Sequence, residues 1–122
     1  MAEAVNLNGG AYTGPNVVED PAHNVIVTAE GDTIYNYGYM EALKILLPAA
    51  IGADYISQIN FTSLGNKTEL NVPIGVIWYG DDTDTLGMFV PEAYRRYTVM
   101  LYSDGVNVIG IVRGTKINQQ QS

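Results

Sequence analysis

The sequence predicts an all-β domain, an antiparallel β-sandwich or jelly-roll-like fold with an extended N-terminal arm. Three features carry that expectation. Polar and apolar residues alternate through Thr33-Ile34-Tyr35-Asn36-Tyr37-Gly38-Tyr39 and through Tyr55-Ile56-Ser57-Gln58-Ile59-Asn60-Phe61-Thr62, so every second side chain shares a strand face. Short β-branched runs are separated by Gly, Pro and Asp turns. Ser103-Asp104-Gly105 stands between two such runs, Arg96–Tyr102 and Val106–Arg113, and Asp-Gly in that setting is a hairpin signal.

Along the chain, residues 1–24 carry Asn6, Asn8, Gly9, Gly10, Gly14, Pro15, Asn16 and Pro21, too many breakers for any regular period. They are read as an extended arm with turns at Gly9-Gly10 and Gly14-Pro15. Strands are then expected at Asn24–Ala29, closed by Glu30-Gly31-Asp32, and at Thr33–Tyr39. Glu41–Leu47 has helical propensity, but its Leu43/Ile45/Leu47 alternation and the following Pro48 favour a strand. Tyr55–Thr62, Thr68–Val72 and Ile74–Tyr79 follow, and after an acidic loop comes the Asp104-Gly105 hairpin. No internal repeat of fixed period is visible. The expected division is an arm at 1–24, a β domain at 25–115 and a polar tail at 116–122, with Ile59, Phe61, Trp78, Val99, Leu101, Val108 and Ile111 inside.

Composition removes whole classes of chemistry. Of 122 residues, 47% are hydrophobic and 16% charged, a globular balance. Six Lys and Arg against 13 Asp and Glu leave a net charge of −7. Nucleic-acid and anionic-membrane binding both draw on cationic residues, so neither is expected. With no cysteine there are no disulfides, thiolate metal sites or cysteine nucleophile. His23 is the single histidine, which excludes a multi-histidine metal site and leaves a poor base for a catalytic triad. Neither a signal peptide nor a membrane span is visible, so synthesis in a host cytoplasm is expected. No cofactor and no enzymatic activity are expected.

The remaining candidates are individually weak. Asp81-Asp82-Thr83-Asp84 offers oxygen donors for calcium but lacks the full EF-hand spacing, and a solvated turn without metal is the preferred reading. Tyr35, Tyr37 and Tyr39 share a strand face, suited to packing on a second sheet or a neighbouring subunit, and are assigned to a subunit interface. Arg95-Arg96 is the one cationic pair, read as a surface pair or a match for an acidic neighbour. The Asn60-Phe61-Thr62 and Asn66-Lys67-Thr68 sequons have no secretion signal to bring them into use.

From Leu43 to Gly114 a longer pattern emerges: Leu47-Pro48-Ala49, Asp54–Ser63, Pro73-Ile74-Gly75-Val76-Ile77-Trp78-Tyr79-Gly80-Asp81-Asp82, Phe89-Val90-Pro91-Glu92-Ala93, Arg96-Tyr97 and Tyr102–Val108. This succession resembles a β module of tailed-bacteriophage virion proteins, found in head fibres, capsid decoration proteins and distal tail fibres. The resemblance implies a trimerising β-sandwich on the virion, without catalysis. No collagen-like or heptad stalk precedes it, which favours a compact protein on the capsid exterior. The major capsid protein is then the partner, reached through arm residues Val5, Leu7, Gly9, Gly10, Gly14, Val17 and Val18. A tail-tip or short-fibre module binding a host glycan is the alternative within virions. A carbohydrate-binding domain is the alternative outside them.

Overall fold

The computed structural model describes residues 14–84 and 88–117. Among the described residues there are nine strands and no helix: β1 (Asn16–Asp20), β2 (Asn24–Thr28), β3 (Thr33–Tyr39), β4 (Ala42–Leu46), β5 (Ile56–Ser63), β6 (Glu69–Asn71), β7 (Ile77–Gly80), β8 (Arg95–Ser103) and β9 (Val108–Lys116). They make a six-stranded sheet of order β1-β3-β5-β8-β9-β7 and a three-stranded sheet of order β2-β4-β6.

The pairing differs from the antiparallel arrangement expected. From β1 to β6 the chain passes alternately between the sheets, so β1, β3 and β5 stack in parallel in one and β2, β4 and β6 in the other. These are three turns of a coil. Their strands begin at 16, 33 and 56 in the larger sheet and at 24, 42 and 69 in the smaller, so the turns have unequal lengths and no fixed period. The turn signals were sound, but a tight turn that ends one strand and starts another can cross between sheets as well as fold back. Among the described strands only β5–β8 and β8–β9 pair antiparallel, and β7 adds to β9 in parallel. The Asp104-Gly105 hairpin forms as read: Gly105 takes φ 96°, and the Asp104 carboxylate accepts from the N–H groups of Val106 (2.8 Å) and Asn107 (2.6 Å). Those bonds hold the Asp104 carboxyl below its usual range.

The expected arm meets the structure at its second half. Asn16–Asp20 is strand β1, paired in parallel with β3 from Asn16↔Thr33 to Asp20↔Tyr37. Alternation was too short to see between Pro15 and Pro21, and pairing with a regular neighbour supplied the order.

Both sheets feed one core. Val27, Leu43 and Ile45 from the smaller sheet meet Tyr35, Tyr37, Ile59, Phe61, Tyr97, Val99, Leu101 and Val112 from the larger. Ile59, Phe61, Val99, Leu101 and Trp78 are buried as expected, whereas Val108 and Ile111 are half-buried. Ile111 lies opposite Met100, on the face turned away from the core. Two groups of rings close the ends. Phe61, Trp78, Phe89 and Tyr97 have ring centroids 5.2–6.4 Å apart. At the other end, Tyr35 Oη donates to Thr28 O (2.8 Å) and Tyr55 Oη to Ala29 O (2.6 Å), pinning the exit of β2.

Trp78 lies directly on Gly110, its partner across the β7–β9 ladder, and a Cβ on Gly110 would clash with the six-membered ring of the indole. Gly110→Ala is therefore expected to destabilise the fold by about 1–3 kcal/mol through overpacking, measured as a lowered denaturation midpoint in urea. A second expectation concerns pH. Burial pushes the Tyr37 and Tyr55 phenols up to about 12, with the Asp20 charge adding to burial at Tyr37. The neutral phenol is then favoured in the folded state. Its contribution is complete below the unfolded value near 10 and is lost as pH rises from about 10 through about 12. Tm recorded against pH should fall across that window, together with delayed tyrosinate absorbance.

Candidate interaction surface

The residues assigned from sequence do not come together. Val5, Leu7, Gly9 and Gly10 lie outside the described residues. Gly14 takes φ 95° just before β1, and Val17 and Val18 are exposed within it. Tyr35 and Tyr37 are 6% and 4% exposed in the chain's own core, so they offer no surface to a neighbouring subunit. Their face of β3 looks toward the smaller sheet. Tyr39 is half-buried against His23, ring centroids 5.5 Å apart. His23 Nδ1 donates to Tyr39 O at 2.8 Å, because a carbonyl can only accept.

The acidic loop is a turn with Asp81 and Asp84 exposed, and two of its carboxylates also bond to the strands beside it. Asp81 Oδ2 accepts from Gly114 N (2.9 Å), and Asp82 Oδ2 accepts from Tyr97 Oη (2.6 Å) and faces Arg95 Nε at 3.4 Å. Tyr97 Oη also accepts from Glu92 N (2.7 Å). The loop is a buckle joining the end of β7 to β8 and β9. Burial, reinforced by the bond to Asp82, drives the Tyr97 phenol well above its usual value. Among the described residues, no three Asp, Glu or His converge as a metal site.

The outer face of the larger sheet shows what the sequence did not. Registration across its six strands places Val17, Ile34, Gln58, Met100, Ile111 and Tyr79 in one row. A second row holds Ile56, Tyr102, Ile109 and Ile77. Neither row contains a charge. Val17 is 59% exposed, Tyr79 56% and Ile56 43%. At the β3–β5 end of these rows Ile34, Ile56, Gln58 and Met100, with Pro15 and Asp32 beside them, rim a hollow of about 220 Å³.

The next row is polar: Glu19, Asn36, Asn60, Thr98 and Arg113. Beyond it Arg96 sits half-buried. Its Nη1 donates to Tyr37 O (2.6 Å) and Thr62 Oγ1 (2.9 Å), and its Nη2 to Asn36 Oδ1 (3.1 Å). Desolvation lowers its pKa. Arg95 and Arg96, adjacent in sequence, thus point to opposite faces and serve different contacts. Glu19, Asp20, Asn36 and Arg96 border an open hollow of about 600 Å³.

No family model, no curated protein and no solved structure matches the chain.

Asp82→Ala strips the buried Tyr97 hydroxyl of its acceptor and is expected to cost about 1–3 kcal/mol, read by chemical denaturation. Chelator is expected to leave the Tm of the unaltered chain unchanged. A fall of several degrees would assign the loop to calcium.

Proposed function

We propose that this chain is a non-enzymatic virion structural protein, a capsid decoration or head-fibre subunit that binds the outside of a phage capsid as a homotrimer. The observation that carries this reading is the pair of uncharged rows, apolar but for Gln58, on the outer face of the larger sheet. On a chain of net charge −7 they concentrate apolar surface where nothing in the described chain covers it, which is how interaction sites differ from ordinary surface. The resemblance of residues 43–114 to tailed-phage virion modules supplies the setting, and it also implies a sandwich or jelly-roll type of domain. The major capsid protein is the partner, and the small hollow beside Ile56 suits an aliphatic side chain from it. Three copies acting together raise the effective concentration of weak contacts on a repeating lattice. The acidic charge suits the exterior of the particle rather than the side facing the genome.

A second reading, a tail-tip module that binds a host glycan, is favoured by the larger hollow. There Glu19, Asp20 and Asn36 offer hydroxyl acceptors beside the Arg96 guanidinium.

Ile56→Lys combined with Tyr79→Lys alters exposed side chains only, so Tm should move by a few degrees at most. Occupancy on undecorated capsids is expected to fall at least about tenfold, as a change of 1.4 kcal/mol suffices for that factor. Wild-type occupancy by the double variant would overturn the assignment. Light scattering at micromolar concentration is expected to give the mass of a trimer, and a stable monomer would count against it. Binding to host polysaccharide without binding to capsids would select the glycan reading.

A further inference from the structure

The polar half of the larger sheet's outer face carries a glycine that the fold does not require. Between Asn36↔Asn60 and Tyr39↔Thr62 the β3–β5 ladder slips by one residue, three steps on β3 against two on β5. This is a β-bulge, a device that re-aims side chains and recurs beside binding sites. Gly38 lies in it. Its φ is outside the left-handed region, and a Cβ built on it meets nothing within 4 Å. Neither backbone conformation nor packing among the described residues therefore calls for glycine here, although glycine weakens a strand. The remaining reason for a strand glycine is that a ligand or another backbone comes close to it.

Gly38 borders the open hollow together with Glu19, Asp20, Asn36 and Arg96, and its volume of about 600 Å³ falls in the ~300–1,000 Å³ range of ligand clefts. The Arg96 guanidinium is fixed there by Tyr37 O, Thr62 Oγ1 and Asn36 Oδ1. Its Nε proton and one Nη2 proton find no acceptor among the described residues. Asp20 Oδ1 accepts from Ala22 N at 2.9 Å, and neither Asp20 nor Glu19 forms an ion pair with Arg96 among the described residues. Donors and acceptors thus border one space without meeting. A hydroxyl group donates and accepts at once, so hydroxyls bridge such a gap. Two carboxylates against one guanidinium disfavour an anion, and the guanidinium disfavours a cation.

We propose that this hollow binds one neutral hexose ring, free or within a polysaccharide, lying over Gly38. Its hydroxyls donate to Glu19 and Asp20 and accept from Arg96. The assignment deepens the glycan reading above and rests on it. The apolar rows assigned to the capsid lie on the other half of the face.

The test is an NMR titration of the full chain with glucose, galactose, dextran and N-acetylneuraminic acid, repeated on Gly38→Val. The valine fills the hollow without meeting the fold, so Tm is expected to stay level or rise. Saturable shifts at Arg96 Nε are expected with at least one neutral sugar, and the affinity should fall at least about tenfold where valine takes the place of the ring. Shifts with dextran alone also support the proposal and place the ring within a chain. No saturable shift with any neutral sugar overturns it, as does equal affinity in Gly38→Val or tighter binding of N-acetylneuraminic acid. A Tm several degrees lower in Gly38→Val assigns the glycine to the fold and overturns it equally. Host polysaccharide bound by both chains alike keeps the glycan reading and overturns this site. Capsid occupancy is expected to be the same for both chains, and a loss in Gly38→Val gives the glycine to the capsid contact instead.

Discussion

The antiparallel seam between β5 and β8 joins the parallel turns of the coil to the antiparallel β8–β9 hairpin, on which β7 adds in parallel. The seam runs from Ile56↔Tyr102 to Ser63↔Arg95, and its core-facing residues Ser57, Ile59, Phe61, Ser63, Tyr97, Val99 and Leu101 are all at most 2% exposed. A slip of one residue would turn that whole set outward and bring Gln58, Asn60, Thr98 and Met100 into the core. The register is therefore fixed by burial, and the position of every other strand in the larger sheet follows from it.

What sequence could show divides along the same line. Strands whose partners lie in a hairpin, β8 and β9, were legible with their turn, and the alternation of β3 and β5 marked their inner faces. The direction of pairing was not legible. Alternation states which side chains share a face, but says nothing about whether the neighbouring strand runs with or against it. β1 was hidden because a five-residue edge strand flanked by prolines has little pattern of its own. Phe89 enters the core from a loop, outside any strand whose alternation could mark it. The companion that makes its cluster fit, Gly110 beneath Trp78, carries no signal until the parallel β7–β9 register is known.

The candidate surface was harder to read for a related reason. Tyr35 and Tyr37 were correctly placed on one face of β3, with a second sheet as one possible cover, and burial inside the chain settles which cover they have. The outer rows could not be found from any single strand, because each contributes only one or two residues to them. Val17 and Tyr79 are separated by about half of the chain and by four intervening strands, yet they stand in one row. A surface of this type exists only once the register of six strands is set.

The division of that surface into apolar and polar halves is itself a product of the seam. Moving along β8 from Tyr102 to Arg96, the outward residues change from Tyr102 and Met100 to Thr98 and Arg96, and β5 changes in step from Ile56 to Gln58, Asn60 and Thr62. At the polar end the Arg96 guanidinium stretches over Thr62 and the backbone of Tyr37 to Asn36, so one cation ties β8, β5 and β3 through neutral acceptors. At the apolar end, among the described residues, no comparable side-chain bond ties three strands across the outer face. The polar half thus spends its side chains on holding the sheet together, while the apolar half leaves its own unengaged. A contact that requires dry surface without rupturing internal bonds has one place to form on this face, the half that includes Ile56, Ile77 and Tyr79.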